Sequence, residues 1–363
     1  MNKEPFLRMS KRESMSLGKM ILVYVTALLL ALLVCAGVIY MLVHMNPIDV
    51  YKAIFDGALG SKRRIWITIR DTLILLCIAI GLAPAFKMRF WNIGAEGQIL
   101  IGGVVSAAMM IYIADKIPQP LVLILMFAGS AVGGMFWGLI PTWFKARWKT
   151  NETLFTLMLN YVAMQIVTFC IIYWENPKGS NTVGIINQQT RAGWLPELFG
   201  NSYGWNLVIV LVLVVLMYVY LRFSKQGYEV AVVGESERTA RYAGISVKKV
   251  MMRTMGISGA ICGIAGFIIV SGCSHTISTA TAGGRGFTAI IVAWMSKFNT
   301  FVMIAVAFGI TFMEKGAIQI ASQYGLNENA SDVLLGIILF FLIGAEFFIK
   351  YKVERNHRKE ETR

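Results

Sequence analysis

The feature that most constrains this chain is a set of long apolar runs without charge. One of them, from Asn206 to Leu221, reads NLVIVLVLVVLMYVYL. An α-helix needs about 20 mostly apolar residues to cross the hydrocarbon core of a bilayer. Of the 363 residues, 56% are hydrophobic and only 15% are charged, which is too little charge for the surface of a soluble domain of this length. The sequence therefore predicts an integral membrane protein.

Ten apolar segments predict an all-α, polytopic fold with about ten membrane-spanning helices. The eighth segment is short and follows a glycine-rich run at 282–286, so we expect a half-helix or a re-entrant segment there. The predicted transmembrane domain covers residues 20–349, between an N-terminal tail, 1–19, and a C-terminal tail, 350–363. The predicted spans are Met20–Val43, Ile65–Phe86, Ile93–Ile113, Leu121–Phe144, Glu152–Trp174, Asn206–Leu221, Met251–Gly272, Phe287–Ser296, Phe301–Ile320 and Val333–Ile349.

The basic residues lie in the tails and loops, which indicates membrane topology. The net charge of +14 is not gathered on one face, so we do not expect nucleic acid as a partner. An even number of crossings puts both tails on one side, and placing them in the cytoplasm puts most of the 34 Lys and Arg residues there too. The exception is Lys62-Arg63-Arg64, which falls outside. Either a surface-lying helix before the second span or a misplaced boundary of that span explains it.

Two loops are long enough to carry function. The external loop 175–203 contains Gly, Asn, Pro and Trp194 and predicts a partly ordered cap. The cytoplasmic loop 222–250 mixes charged, small and apolar residues. Within it we expect a short amphipathic helix, ended by Gly244 and carrying Glu235, Arg238, Arg241 and Tyr242. A structured cytoplasmic loop of this kind is better explained as a docking surface than as solvated chain.

Polar residues inside a membrane are costly, so each is a functional candidate. The strongest is Glu96, which lies between two glycines in a segment that opens the third span. Two hypotheses have equal weight: Glu96 is part of a gate or solute pathway, or it caps free backbone N–H groups at a helix start. Asn160 can line the same pathway with Tyr161, although an interhelical hydrogen bond is the commoner role. The neighbouring candidates are Trp91, Asn92, Gly94, Gly97 and Gln98.

A second glycine-interrupted segment, 283–287, opens the short eighth span. Paired broken helices in two halves of a chain point to a solute path near the membrane midplane, and they hint at a two-half pseudo-repeat. No phosphate-binding G-x-x-x-x-G-K-[ST] motif, metal-ligand cluster or catalytic motif is present in the sequence. We therefore expect a transporter without its own nucleotide, catalytic or metal site, whose energy comes from another polypeptide.

Three stretches carry a resemblance to a known family. These are FWNIGAEGQILIGG from Phe90, NETLFTLMLNYVA from Asn151 and GESERTARYAGISVKKVMMRTMGISGAICGIAGF from Gly234. Together they resemble permease subunits of ATP-binding-cassette (ABC) importers for nucleosides and simple sugars, within the branched-chain amino acid and ribose permease group. The resemblance covers about Lys52 to Gly344, which is most of the chain.

The resemblance implies a bacterial plasma-membrane assembly. Its partners would be cytoplasmic ATPase subunits that use ATP and Mg, a second identical or related permease, and an extracytoplasmic binding (lipo)protein that delivers the solute. The segment from Gly234 to Gly244 would couple this chain to the ATPase, and 92–98 would lie near the pathway. A nucleoside is the leading solute, because Trp91 and Tyr161 can stack on a base; a membrane anchor is the commoner role for such a Trp, and a sugar stays open. The alternative function is a stand-alone ion-coupled secondary transporter that uses Glu96 or Glu314.

Overall fold

The computed structural model describes residues 7–12, 15–43, 47–198, 200–325 and 328–355. In this part of the chain, helices account for most residues and two short strands lie at the ends. The elements are β1 (Leu7–Lys11), α1 (Leu17–Val43), α2 (Pro47–Leu59), α3 (Lys62–Lys87), α4 (Ala95–Tyr112), α5 (Gln119–Trp148), α6 (Glu152–Trp174), α7 (Gly204–Phe223), α8 (Lys225–Glu235), α9 (Glu237–Tyr242), α10 (Val247–Ile269), α11 (Arg285–Met295), α12 (Thr300–Gln323), α13 (Glu328–Lys350) and β2 (Tyr351–Arg355).

Within the described ranges, eight helices are long and apolar enough to cross a membrane, which confirms a multi-pass membrane protein. They are α1, α3 to α7, α12, and α10 together with the π-helical turn Val270–Ser274 that continues it. The eighth predicted span corresponds to α11, whose 11 residues reach about 16 Å, roughly half the hydrocarbon core. Helix α13 coincides with the tenth. The total of ten crossings and the pseudo-repeat stay predictions.

Helix α2 ends shortly before Lys62-Arg63-Arg64, the three basic residues that the predicted topology placed outside. A helix does precede the second span, and α3 begins at Lys62, three residues before the predicted boundary. The structure thus contains both a helix before the second span and an earlier start of that span than predicted. One face of α2 is buried, through Ala53, Ile54 and Ala58.

The two tails depart from the all-helical prediction. Strands β1 and β2 form an antiparallel pair in which Met9 lies opposite Val353. Both stretches alternate apolar and polar residues, which is the two-residue period of a strand. The polar positions of both strands are mostly basic residues, which are also typical of the tails of a membrane protein, so the alternation is not a specific signal for a strand here. The pairing brings the two tails together, and the side of the membrane on which they lie stays a prediction.

The chain divides into two compact units, one from residues 1–65 and 312–363 and the other from 66–311. In the first unit, α1 packs along α13, and α2 packs on the second half of α12. Its core consists of small and aliphatic side chains. At its centre are Ala31, Cys35, Ile39, Ile54, Ile320, Leu334 and Ile338.

The second unit is centred on α4, α5 and α10, which approach each other through glycines. A Cβ on Gly263 would run into the carbonyl oxygen of Ser130, and one on Gly134 would run into that of Gly259. A Cβ on Gly102 would in turn strike Gly263. Small residues let membrane helices pack backbone against backbone, where van der Waals contact takes the place of the hydrophobic effect. The Ser130 hydroxyl, bonded to Gly102 O at 2.8 Å, adds a polar contact between α4 and α5.

The loop at 175–203, predicted to be external, is ordered against the end of α10 that continues into the π-helical turn. The amide of Leu195 donates to Ser271 O (3.1 Å), and the Ser271 hydroxyl donates to Gly193 O (2.6 Å). The Trp194 indole stacks flat on the His275 imidazole, with ring centroids 3.7 Å apart. These contacts join the π-helical turn at 270–274 to the loop, so the loop is part of the folded unit.

The glycine packing predicts that Gly263→Ala destabilises the protein. The added methyl group meets the backbone of α5, which cannot rotate away, and overpacking of this kind costs about 1–3 kcal/mol. The matched control is Gly309→Ala on α12, where nothing lies within 4 Å of the new Cβ. That change should be neutral or should stabilise the helix by up to about 1 kcal/mol. Thermal unfolding in one detergent compares the two; equal stability of both variants would contradict the packing account.

The stacked histidine predicts a stability that depends on pH. Burial of His275, helped by the nearby charge of Arg191, lowers its pKa below the ordinary value of 6.5. The unfolded chain therefore binds this proton more readily than the folded chain, and stability present above pH 6.5 is lost as the pH falls below it. His275→Phe keeps the stacked ring and removes the proton. Between pH 7.5 and 5 the unfolding temperature of His275→Phe should fall less than that of the wild type. Parallel curves of unfolding temperature against pH for the two proteins would contradict the lowered pKa of His275.

Candidate functional site

The glycine-broken segment lies in a non-helical stretch between Lys87, the last residue of α3, and Ala95, the first of α4. Asn92 is fully buried and organises it. Its Oδ1 accepts from the amide of Gly94 (3.0 Å) and from Gln98 Nε2 (3.3 Å), while its Nδ2 lies 3.4 Å from Ser258 Oγ on α10. One side chain thus holds the break, the first turn of α4 and α10 together.

Asn160 fixes the same break from α6. Its Oδ1 accepts from the amide of Gly97 and its Nδ2 donates to Ile93 O, both at 2.9 Å. Gly97 is required here because a Cβ would lie 2.9 Å from the indole nitrogen of Trp137. The geometry is that of the interhelical hydrogen bond named as the commoner role of Asn160. Buried backbone groups left unpaired by the break find partners in this side chain.

Glu96 reaches from the first turn of α4 to the start of the short helix α11. Its Oε1 accepts from the amide of Gly286 at 2.7 Å. The structure therefore places the carboxylate at a helix start, as the capping hypothesis held, but the helix is α11 and not the one that carries Glu96. A carboxylate is favourable there because the first N–H groups of a helix lack internal partners and carry partial positive charge.

A second carboxylate faces the same turn and was missed in the sequence. Asp71, on α3, is 3% exposed; its Oδ1 lies 2.8 Å from Arg70 Nε and 3.8 Å from the guanidinium of Arg285, the first residue of α11. The Arg70 guanidinium also lies over the ring of Tyr203, 5.4 Å from its centroid. The available signal was an Arg-Asp pair inside an apolar span, where buried charges are expected to pair.

The predicted aromatic residues do not converge. The Trp91 ring stacks on Trp294 of α11, with centroids 5.5 Å apart, and meets Phe86 edge-on. It is 46% exposed. Tyr161 is 59% exposed although its neighbour Asn160 is buried, so the two point to different surroundings. The structure thus brings together Trp91, Asn92, Gly94, Glu96, Gly97, Gln98 and Asn160, and leaves Tyr161 apart.

The loop at 222–250, predicted to be cytoplasmic and to dock, contains two helices instead of one. Gly234 and Glu235 end α8, and Ser236 then caps α9 by accepting from the amide of Thr239 (3.3 Å). The predicted helix is therefore shorter than 234–244: it holds Arg238, Arg241 and Tyr242 but not Glu235. Gly244 follows α9 with φ +75°, as expected for a residue that ends a helix.

Helices α8 and α9 are packed firmly beneath the helices of their unit. A Cβ on Gly234 would run into the carbonyl oxygen of Lys87, the last residue of α3. Arg253 of α10 pairs with Glu229 of α8 at 2.8 Å. By contrast, the tip of α9 is bare, and Tyr242 is 94% exposed. The arrangement presents an exposed tip on a rigid support. No group of three or more His, Cys, Asp or Glu side chains that could hold a metal occurs in the described ranges.

The helices and the broken segment define a polytopic membrane protein, and comparison with known proteins gives the family. The family model described as "Branched-chain amino acid transport system / permease component" matches residues 65–343. The chain therefore belongs to this family, among the ABC permeases for nucleosides and simple sugars.

Three relatives illustrate the range of the family. The glucose ABC transporter permease protein of Haloferax volcanii is 29% identical over 89% of this chain and 87% of its own length. The guanosine ABC transporter permease protein of Bacillus subtilis is 28% identical over 93% of this chain and 97% of its own length. The nucleoside ABC transporter permease protein of Lactococcus lactis is 29% identical over 86% of this chain and 88% of its own length. All three are named as transport permeases, and their named solutes differ.

The capping contact predicts faster hydrogen exchange at the start of α11 in Glu96→Ala. Loss of a side-chain cap costs about 1 kcal/mol, which corresponds to roughly fivefold faster exchange of the amides of 285–288. Glu96→Gln keeps an acceptor oxygen and should change less. Glu152→Ala, which removes a carboxylate from the start of α6, serves as the control. Unchanged exchange at 285–288 in Glu96→Ala would contradict the contact.

Proposed function

We propose that this chain is the membrane-spanning permease subunit of an ABC importer that carries a nucleoside or a simple sugar. The family match over residues 65–343 carries the proposal, because the relatives are named as permease components of such transporters. In this proposal ATP and Mg are bound by a separate cytoplasmic ATPase. A second permease and an extracytoplasmic binding protein complete the assembly in a bacterial plasma membrane, with both termini of this chain cytoplasmic.

The coupling element is α9, with Arg238, Arg241 and Tyr242 at its exposed tip. It is supported by the packing of α8 and α9 against the ends of α3 and α10, through Val230, Val233 and Ala240. A movement imposed on α9 by the ATPase would pass to α10 as a rigid body, because this interface has no room for sliding. Gly234, Glu235 and Gly244 set the position of α9 and need not touch the partner.

The solute pathway in this proposal runs beside the broken segment and α11. The contacts of Glu96 and Asp71 with α11, together with the hydrogen bonds of Asn92, fix the geometry of this pathway. A small change in these contacts alters the starts of α4 and α11 together. A nucleoside is favoured over a sugar because Trp91 and Trp294 offer partly exposed aromatic surface on which a base can stack. Two of the three relatives described above are named for guanosine or nucleosides and one for glucose, which leaves both classes in the proposal.

The alternative, a stand-alone ion-coupled carrier, requires Glu96 or Glu314 to bind the coupling ion. The contact between Glu96 and Gly286 speaks against it, since that carboxylate already serves α11. We expect the double variant Glu96→Gln, Glu314→Gln to retain most ATP-driven uptake of radiolabelled guanosine, or of glucose for a sugar permease. Loss of uptake with normal ATPase assembly would favour the carrier.

The coupling assignment predicts that Arg238→Glu weakens binding of the ATPase by about fivefold or more, because it places a negative charge on the docking tip. The variant should still insert, since Arg238 is exposed. Lys178→Glu on the external loop is the matched control. Affinity of the purified chain for its ATPase in detergent measures the effect; unchanged affinity for Arg238→Glu would contradict the assignment.

A further inference from the structure

A large cavity opens beside α9 and is not used by the proposed pathway. Its volume is about 940 Å³. Three parts of the chain line it: the end of α5, the helix α9 with its cap, and the start of α10. All three belong to the same compact unit.

The lining carries an excess of positive charge. Five of its side chains are basic and only Glu237 is acidic. Two of the five have partners, since Lys145 pairs with Glu152 and Arg241 with Glu237. The other three, Lys149, Arg238 and Lys248, are exposed, and no carboxylate lies within salt-bridge distance of them in the described part of the chain. The cavity therefore offers three free cations to an anionic ligand.

The cavity lies at the depth of the lipid headgroups. The candidate spans of α5 and α10 end and begin at Trp148 and Val247, directly at its wall. Just before the turn, the exposed rings of Trp143 and Trp148 meet edge-on with centroids 4.9 Å apart. Exposed Trp residues at the end of a span mark the boundary between hydrocarbon and headgroups. Lys149 and Lys248, each next to the end of one of these spans, are thus at the level of lipid phosphates, and Arg238 of α9 lines the same cavity.

Apolar residues share the wall with these cations. Ile245 is partly buried and Met251 is 8% exposed, and both line the cavity. A polar rim next to an apolar wall suits an amphiphile whose phosphate meets the lysines while its glycerol and first methylenes meet the aliphatic side chains. Basic pockets between membrane helices on the cytoplasmic side are known to take anionic headgroups.

We infer that this cavity is a binding site for the headgroup of an anionic phospholipid, held by Lys149, Arg238 and Lys248. The site adjoins the coupling helix, so a bound lipid would brace α9 against the turn between α5 and α6. The inference concerns a ligand of the bilayer and does not depend on which solute is carried.

Binding of defined lipids to the full-length chain tests the inference. Native mass spectrometry of the purified protein titrated with phosphatidylglycerol, and with phosphatidylcholine of the same acyl chains, gives the two affinities. We expect tighter binding of phosphatidylglycerol. We test a triple variant that carries Lys149→Gln, Arg238→Gln and Lys248→Gln. Its affinity for phosphatidylglycerol should be weaker by about tenfold or more, and its affinity for phosphatidylcholine should be unchanged. The control variant removes three charges from the external side and should bind phosphatidylglycerol as the wild type does. It carries Lys116→Gln, Lys178→Gln and Arg191→Gln.

Other outcomes overturn the inference. An equal loss of phosphatidylglycerol affinity in the control variant would mean that the lipid is attracted by diffuse charge and not by this site. Displacement of phosphatidylglycerol by millimolar inorganic phosphate would assign the site to a free anion. A triple variant that binds phosphatidylglycerol normally but has lost its ATPase would assign the surface to an acidic protein partner. The single variant Lys149→Gln, expected to lose affinity with an unchanged unfolding temperature, covers the case in which the triple variant fails to fold. Wild-type affinity in Lys149→Gln would also count against the site.

Discussion

The rest of the structure depends on the close approach of α4, α5 and α10. Glycines at 102, 134 and 263 let these helices meet backbone to backbone, where no side chain can yield. Inside a bilayer the hydrophobic effect does not drive helices together, so tight van der Waals contact and a few hydrogen bonds must do so. This packed group fixes Asn92 and Ser258, and through them the first turn of α4. The broken segment is thus attached to the closely packed centre of its unit.

The short helix α11 is held by charge as well as by packing. Glu96 accepts from the amide of Gly286 and Asp71 faces the guanidinium of Arg285, so two carboxylates from two helices define where α11 starts. Buried charges are costly to leave alone and strong when paired, which makes such a contact specific in position. The outer loop and the π-helical turn form a comparable junction around His275. Each junction connects a helix that spans the membrane to an element that does not.

The sequence predicted the membrane helices well because apolar run length is a local property of the chain. The glycine-interrupted segment predicted at 92–98 overlaps the non-helical stretch at 88–94, and Gly244, predicted to end a helix, lies two residues after the end of α9. The partner of Glu96 could not be predicted, since Gly286 lies 190 positions away and only tertiary packing joins them. Arg70 and Asp71 are adjacent charges inside an apolar span, and this pair is the local signal for the second carboxylate at α11. The boundary between α8 and α9 was missed because the cap at Ser236 was not recognised.

The central claim is that this chain moves its solute only with energy from a separate ATPase. Uptake of radiolabelled guanosine or glucose into liposomes tests it most directly, with the purified chain alone, with an imposed proton or sodium gradient, and with its permease partner, ATPase, binding protein and ATP. The account predicts uptake of one of these solutes in the last condition and none in the first two. Robust uptake by the chain alone under an ion gradient would contradict it.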